Sequence, residues 1–596
     1  MKKNSKYSYI EKIKGCLDGD RRDMLMHIYE PQVVATPLSD SRRDVCIMPD
    51  GEIRSYGRLY GQRFPDNSGQ AAYLASKDSG ISWTLHYSHG IVNSCAYFED
   101  EDIYISISDS FNNNLGMGKG LWALRSKIGP DDADPEIIQI ASGYYIDSFT
   151  PQISEYGKRI WFTAHRQDWT EGQVPASYPC FFYSDDFGKS WTGVELASIE
   201  GHDVEFPHKG KRWCHASGGE CHAIEVSANK MMMIIRTPKD CFYVSNSEDG
   251  GESWSYPEPS NLYGTNTTAF LLKISDGRIL SFWNNTRPLP EQDHDAAIPP
   301  VSAEVKCGIY EDVFTNRDAA HVAISEDGGE TFIGCRELYL NPLRNNADFR
   351  YIGGAKTSAD KSVHQFQAFE LPYNKILVSV GQNEVCRRLI IFDIDWLYQT
   401  EVCEDFVKNA LEKISTQTYV KSGSGSQVWS IGNGHCAWNR AHAAYLVPDP
   451  AGSYGEVLSI SSLDDDRLYN RIGGATWNFP ASRSGKVSID MMIEEKRAKI
   501  ILTDRWYNPT DAYAAMQSPF FFELTRDDIG DGFCRVDIIY ETDNGSATVY
   551  VGDRLIKSVA MSCPCPTGIS YLVLQCDESE SSKGFYVKML EKKNTL

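Results

Sequence analysis

The octet SEDGGESW, Ser247 to Trp254, is written again as SEDGGETF, Ser325 to Phe332. Two looser copies, SKDSGISW from Ser76 and SDDFGKSW from Ser184, complete a set of four that fit S-x-D-x-G-x-[S/T]-[W/F]. No other feature limits the fold as much, because a chain that repeats one local structure builds one supersecondary unit many times. Each copy follows a short β-prone run (AAYLA, CFFY, CFYVSN, AAHVAI) and precedes another β-like stretch. The motif therefore predicts a hairpin turn. Its Asp accepts backbone N–H groups within the turn. Its Gly takes up a backbone conformation that residues with a Cβ resist, and its aromatic tucks under the hairpin. A calcium loop built from the Asp and Ser oxygens would need more carboxylates than the motif holds.

The four first serines stand at 76, 184, 247 and 325. The wide first interval leaves room for an unmarked unit, whose strands are EDIYISISDS and GLWALRSKIG. After Phe332, KILVSVGQ and RRLIIFDIDWLY supply one more. Six small sheets at this period predict an all-β, six-bladed β-propeller. The motif resembles the Asp-box (BNR repeat) of the sialidase (neuraminidase) superfamily, whose catalytic domain is such a propeller. The resemblance covers residues 30–400 and implies a carbohydrate-active enzyme. It speaks more strongly to fold than to reaction, since one fold hosts many activities.

Four segments are expected. Residues 1–29 form an N-terminal extension and 30–400 the propeller. Residues 401–425 form a connector, in which EVCEDFVKNALEKIST fits a short amphipathic helix and KSGSGSQ a polar break. From 426 to 596, KVSIDMMIEE, AKIILTDRW, FFFEL, CRVDIIYE and SATVYVGD alternate as the strands of a β-sandwich. That last part looks like a concanavalin-like jelly roll, which serves either as a glycan-binding module or as a buttress.

A net charge of −22 makes nucleic acid and anionic membranes poor general partners. The N-terminus lacks the apolar stretch of a signal peptide, and no run approaches the roughly 18 residues of a membrane span. The sixteen cysteines are scattered along the chain, so reduced thiols and a cytoplasmic location are expected.

Site candidates follow from the resemblance. Sialidases grip a substrate carboxylate with three arginines, the residue type suited to bidentate recognition of a carboxylate. They use an Asp acid/base and a Tyr nucleophile assisted by a Glu. In SRRDVCIMPDG, Arg43 matches the first arginine, with Val45 where the family has Pro. Asp66 in FPDNSG stands where the acid/base does, in a stretch that also reads as a plain turn. In GGECHAIEVSANKMMMIIRT, Glu220 and Arg236 match the Glu and the second arginine, with Glu225 as a rival to Glu220. Arg317 in TNRDAAHVAIS matches the third arginine, with Arg287 as its rival. Asn284 and Asn285 are candidates to line the pocket. The position of the Tyr is taken by His364, followed by Gln365 in SVHQFQ; an imidazole is a good proton carrier near neutral pH. Tyr351 and Arg350 are possible substitutes nearby.

Cys214, His215, Cys221 and His222 have zinc-like residue types. Adjacent strand residues point to opposite faces, however, so neither pair converges on one ion. No metal or cofactor is expected, and His222 is read as a sugar contact. The leading function is a sialidase-like glycoside hydrolase that releases a terminal acidic sugar, with Asp66, Glu220 and His364 catalytic and Arg43, Arg236, Arg317, His222, Asn284 and Gln365 binding. A uronate-specific lyase with His364 as base and a non-catalytic glycan-binding protein are the alternatives.

Overall fold

A computed structural model describes residues 6–38, 45–57, 71–88, 94–108, 120–148, 150–168, 176–199, 218–237, 239–265, 267–287, 317–342, 344, 363–381, 386–419, 440–453, 455–466, 468, 470–495, 497–576 and 583–594. The candidates Arg43, Asp66, Cys214, His215, Arg350 and Tyr351 lie outside these residues.

Six antiparallel sheets form the blades of a propeller. Blade 1 runs outward as Val45–Ile47, Ile53–Tyr56, Ala71–Ser76 and Thr84–Ser88, and blade 2 as Ala96–Phe98, Ile103–Ser108, Leu121–Ser126 and Glu136–Ala141. The inner strand of blade 3 comes in two pieces, Tyr144–Ile146 and Gln152–Ile153, followed by Ile160–Asp168, Ala176–Ser184 and Thr192–Glu195. Blade 4 is His222–Ser227, Lys230–Ile235, Cys241–Ser247 and Glu258–Tyr263; blade 5 is Phe270–Lys273, Ile279–Trp283, Ala319–Ser325 and Ile333–Leu340. Blade 6 takes its first three strands, Gln367–Leu371, Lys375–Val380 and Arg388–Asp393, from the far end of this region. Its outermost strand is Gln32–Ala35, which pairs with Arg388–Asp393.

Side chains of the inner strands stitch the blades together around the axis. Gln367 of blade 6 accepts from the Val45 N–H at 2.9 Å and donates to its carbonyl at 2.8 Å. Ser94, beside blade 2, donates to the same Val45 carbonyl at 3.0 Å and meets the hydroxyl of Thr150, which lies between the two pieces of the blade 3 inner strand. His222 Nδ1 of blade 4 accepts from Leu271 N–H of blade 5. Apolar clusters also join neighbouring blades, as between blades 2 and 3 and between blades 4 and 5. Lys230–Ile235 reads KMMMII, with every residue after the lysine buried, because both faces of a second strand are covered. The N-terminal helix Ser8–Cys16, with Lys6 and Tyr7 ahead of it, covers one end of the channel. Tyr7 donates to Glu155 and to the Lys273 carbonyl, both at 2.9 Å, and Tyr9 to the Glu370 carbonyl at 3.0 Å. A cavity of about 200 Å³ lies between this cap and the inner strands.

All four motif copies form the turn between third and fourth strands. In blade 4, Ser247 Oγ accepts from Gly251 N–H, Asp249 accepts from Ser253 N–H, and Trp254 Nε1 donates to the Gly251 carbonyl. Gly251 sits at φ +97°, in the region that favours glycine. The unmarked blade 2 keeps a degenerate version: Ser126 Oγ accepts from Gly129 N–H and donates to Asp132.

After the propeller, Val402–Asp405 pairs with the C-terminal strand Phe585–Lys593. The amphipathic helix expected across 401–416 is reduced to the single turn Phe406–Asn409, ended by Ala410 at φ +47°. Its apolar residues are used differently: Phe406 and Ile414 enter the core of the second domain. That domain is a sandwich of an eight-stranded and a five-stranded sheet sharing one buried cluster, including Trp477, Ile489, Phe522, Ile538 and Leu572.

The turn aspartates carry a pH signature. The Ser253 hydroxyl and N–H hold the Asp249 carboxyl well below the usual range. At Asp186 and Asp327 burial pushes upward, but the corresponding hydrogen bonds outweigh it and the net shift is downward. A depressed carboxyl contributes stability above its unfolded value of about 4 and loses it as pH falls through the folded value. Asp249→Ala is expected to cost about 2 kcal/mol at pH 7 and to lose less stability than the wild type between about pH 4 and pH 2. Thermal melts over that pH range check both.

Candidate functional site

Antiparallel blades sort residues by face. The starts of inner strands, the ends of second strands and the starts of third strands share one face, and the motif turns lie on the other. Glu220 precedes the inner strand His222–Ser227, and Arg236 follows Lys230–Ile235. Asn284 follows Ile279–Trp283, Arg317 precedes Ala319–Ser325, and His364 and Gln365 precede Gln367–Leu371. These five segments therefore meet the face opposite the motif turns.

Two groups form there. In the first, the fully buried Arg317 donates to His364 Nε2 at 3.1 Å. The Val363 N–H donates to the Arg317 carbonyl at 2.9 Å, and Asn284 Nδ2 donates to the Val363 and Ala319 carbonyls at 3.0 and 2.6 Å. Asn284 thus holds the backbone on either side of the pair. Gln365 follows at φ +61°, a strained conformation for a residue with a Cβ. In the second group Arg236, 3% exposed, is ion-paired with Glu220. Glu220 sits at φ +50° in a turn whose Gly218 N–H donates to the Arg236 carbonyl.

Other candidates are engaged differently. His222 is buried, with its ring 4.2 Å from that of Phe270, and works in the blade seam described above. Glu225 is at the capped end of the channel, accepting from Ser154 Oγ and the Glu155 N–H at 2.7 Å each. Burial raises its carboxyl, partly offset by those bonds. Asn285 Nδ2 donates to the Asp504 carbonyl of the sandwich.

Sequence reasoning missed a third group beside Glu220. Asp147, with a fully buried side chain, lies 2.7 Å from His165 Nδ1 and accepts from the N–H and the thiol of Cys221, each at 3.1 Å. Burial and then the nearby Asp147 charge push the Cys221 thiol well up. The only local signal was YYIDSFTPQI, where the polar run and Pro151 interrupt an inner strand.

Residues 160–380 match the BNR repeat-like domain family. Over 109 residues, 18% of this chain, the sequence is 30% identical to the anhydrosialidase of Macrobdella decora. This chain spans about 11% of that relative's length. Both matches support the sialidase superfamily for this propeller. Among solved structures, Trypanosoma rangeli sialidase in complex with sialic acid is 11% identical, with a TM-score of 0.33 over 94% of this chain and 92% of that one. A protein of unknown function from Dyadobacter fermentans is 15% identical, with a TM-score of 0.36 over 62% and 99% of the two chains. The NanB sialidase of Streptococcus pneumoniae is 11% identical, with a TM-score of 0.36 over 61% and 71%.

In this propeller the rival arginine, Arg287, is an interface residue. Both Arg287 and Arg505 of the sandwich ion-pair with Asp240. Burial, then the charge of Arg505, lowers the Arg287 guanidinium to about 10. Around this latch Thr286 bridges Trp506, the Trp506 N–H donates to the Asn285 carbonyl at 2.9 Å, and the Arg287 N–H to the Trp506 carbonyl at 2.8 Å. Nearby, His321 Nε2 meets the Tyr571 hydroxyl at 2.5 Å, and that hydroxyl donates to Glu337 at 2.9 Å. Burial pushes Glu337 up to about 7. The sandwich is thereby fixed to blade 5 on the face that carries Asn284 and Arg317. Asp240→Ala would leave two buried guanidiniums without their shared carboxylate. The expected loss is about 3–5 kcal/mol, read as a lower urea midpoint for the domain pair.

Proposed function

We propose that this chain is a glycoside hydrolase of sialidase-like form, which releases a terminal acidic sugar, sialic acid or a relative, from an oligosaccharide. The observation that carries the reading is the pair of buried arginines, Arg236 and Arg317, on one face around the channel. Burying a guanidinium is costly unless it is held by partners, and here Glu220 and His364 hold the two in place. In a chain of net charge −22, such local cations are what an anionic ligand would require. A planar, permanently charged fork suits the carboxylate of an acidic sugar. The BNR repeat-like match and the anhydrosialidase relative support the same substrate class.

His364 enters this reading as a support for Arg317. A guanidinium only donates, so Nε2 of His364 accepts and carries no proton. That weakens the lyase alternative in the form that uses His364 as base.

Product analysis on a panel of sialylated and uronate-terminated oligosaccharides tests the proposal. Free acidic sugar without an ultraviolet-absorbing double bond is expected. Arg317→Ala is expected to lower kcat/KM about a hundredfold, close to 3 kcal/mol. Arg317→Lys should recover only part of it, since an ammonium lacks the fork. An unsaturated product would replace the hydrolase reading with a lyase, and no turnover of any member would leave a binding protein.

A further inference from the structure

His364 and His165 both stand on the site face, and their hydrogen bonds differ in kind. At His364 the Arg317 guanidinium occupies Nε2. At His165 the buried Asp147 carboxylate takes Nδ1 at 2.7 Å, which keeps the proton on Nδ1 and the lone pair on Nε2. The Glu220 N–H also approaches Nδ1, at 3.4 Å. One nitrogen cannot donate to the carboxylate and accept from an amide at once, and the shorter contact to a charged group prevails. Among the described residues Nε2 of His165 has no hydrogen-bond partner. It lies under Gly219, where an added Cβ would stand 3.6 Å away, and the side chain keeps 10% exposure.

The surroundings are built for this. Ile146 pairs with Ala164 and Gln152 with Trp161, so the inner strand is interrupted between the two pieces, where the Asp147 N–H still donates to the Thr163 carbonyl at 3.0 Å. At this interruption the Asp147 side chain meets His165 and Cys221. The groups facing the imidazole are Asp147 from its own blade, Tyr145 stacked at 5.4 Å, and Glu220 and Cys221 from the blade 4 turn. Tyr145 is exposed, and Glu220 is the partner of Arg236. An imidazole clamped at one nitrogen and without a hydrogen bond at the other among the described residues, next to the residue that pairs with Arg236 and to an exposed aromatic ring, is the arrangement of a general base.

We propose that His165, oriented by Asp147, is the proton-transferring residue of this site, and that His364 positions Arg317. The inference rests on the acidic-sugar reading above. In the hydrolysis, the oxygen of water bonds to the anomeric carbon while one of its protons passes to His165 Nε2. The glycosidic C–O bond breaks, the departing oxygen takes up a proton, and the imidazolium returns its own to solvent. Glycoside and water thus give free sugar and alcohol.

Steady-state kinetics, pH profiles and melting curves of the wild type, His165→Ala, His165→Gln, Asp147→Asn and His364→Ala test this on the panel member that the wild type turns over. Calorimetry with free sialic acid and glucuronic acid reads binding separately. His165→Ala is expected to lose about 10² to 10³ in kcat, to bind the free acid sugar within twofold of wild type, and to regain part of its rate with added imidazole. Asp147→Asn should lose less, and His364→Ala should act mainly on KM and binding. His165→Gln keeps the comparison open if the alanine variant fails to fold. A folded His165 variant with wild-type kcat would overturn the proposal. So would a loss with an unaltered pH profile and no imidazole rescue, which a purely structural role would give. Absence of turnover by the wild type across the panel would remove the functional reading and this inference with it.

Discussion

Closure of the ring is the constraint on which everything else depends. A four-stranded sheet of this size is marginal alone, because its faces are apolar and its edges unpaired. Six of them become stable when each covers its neighbours and the last is completed by Gln32–Ala35. The seam between blades 6 and 1 needs more than apolar contact, since it joins distant parts of the chain. Gln367 supplies it by gripping both backbone groups of Val45, and Ser94 carries the link to blade 2. The site face exists only because this closure brings blades 3 to 6 around one axis.

The same topology explains the count of motif copies. The motif is a turn between third and fourth strands, so it requires those strands to be consecutive in the chain. Blade 6 cannot carry one, because its fourth strand comes from the N-terminal side. Blade 2 has the hairpin, but its turn is SKIGPDD, in which Ser126, Gly129 and Asp132 reproduce part of the bonding without the aromatic. Six blades and four clear copies are therefore one fact. The fold was legible because the motif is local, and its hydrogen bonds close within a few residues.

The site was legible only in part. Arg236, Arg317 and His364 were candidates through the resemblance, and the structure sets all three on one face. Their partners were less visible. Glu220 and Glu225 look alike in sequence, yet they sit at opposite ends of one short strand, one beside Arg236 and the other near the capped end of the channel. Arg287 and Arg317 both precede a third strand, and only the docked sandwich, through Arg505 and Asp240, makes the first an interface residue. His222 has the residue type of a sugar contact and spends it on the Leu271 backbone. Asp147 and His165 gave no signal, because they lie far apart in the chain and meet only where the inner strand of blade 3 is interrupted.

By itself the sequence determined the repeating unit, the number of units and the residues able to carry charge at strand ends, because turns and alternation are set by neighbours along the chain. Which carboxylate meets which arginine, which histidine keeps an open nitrogen and where the sandwich rests were decided only in three dimensions. Those choices depend on contacts between blades and between domains, and on how deeply each group is withdrawn from water, which no local pattern encodes.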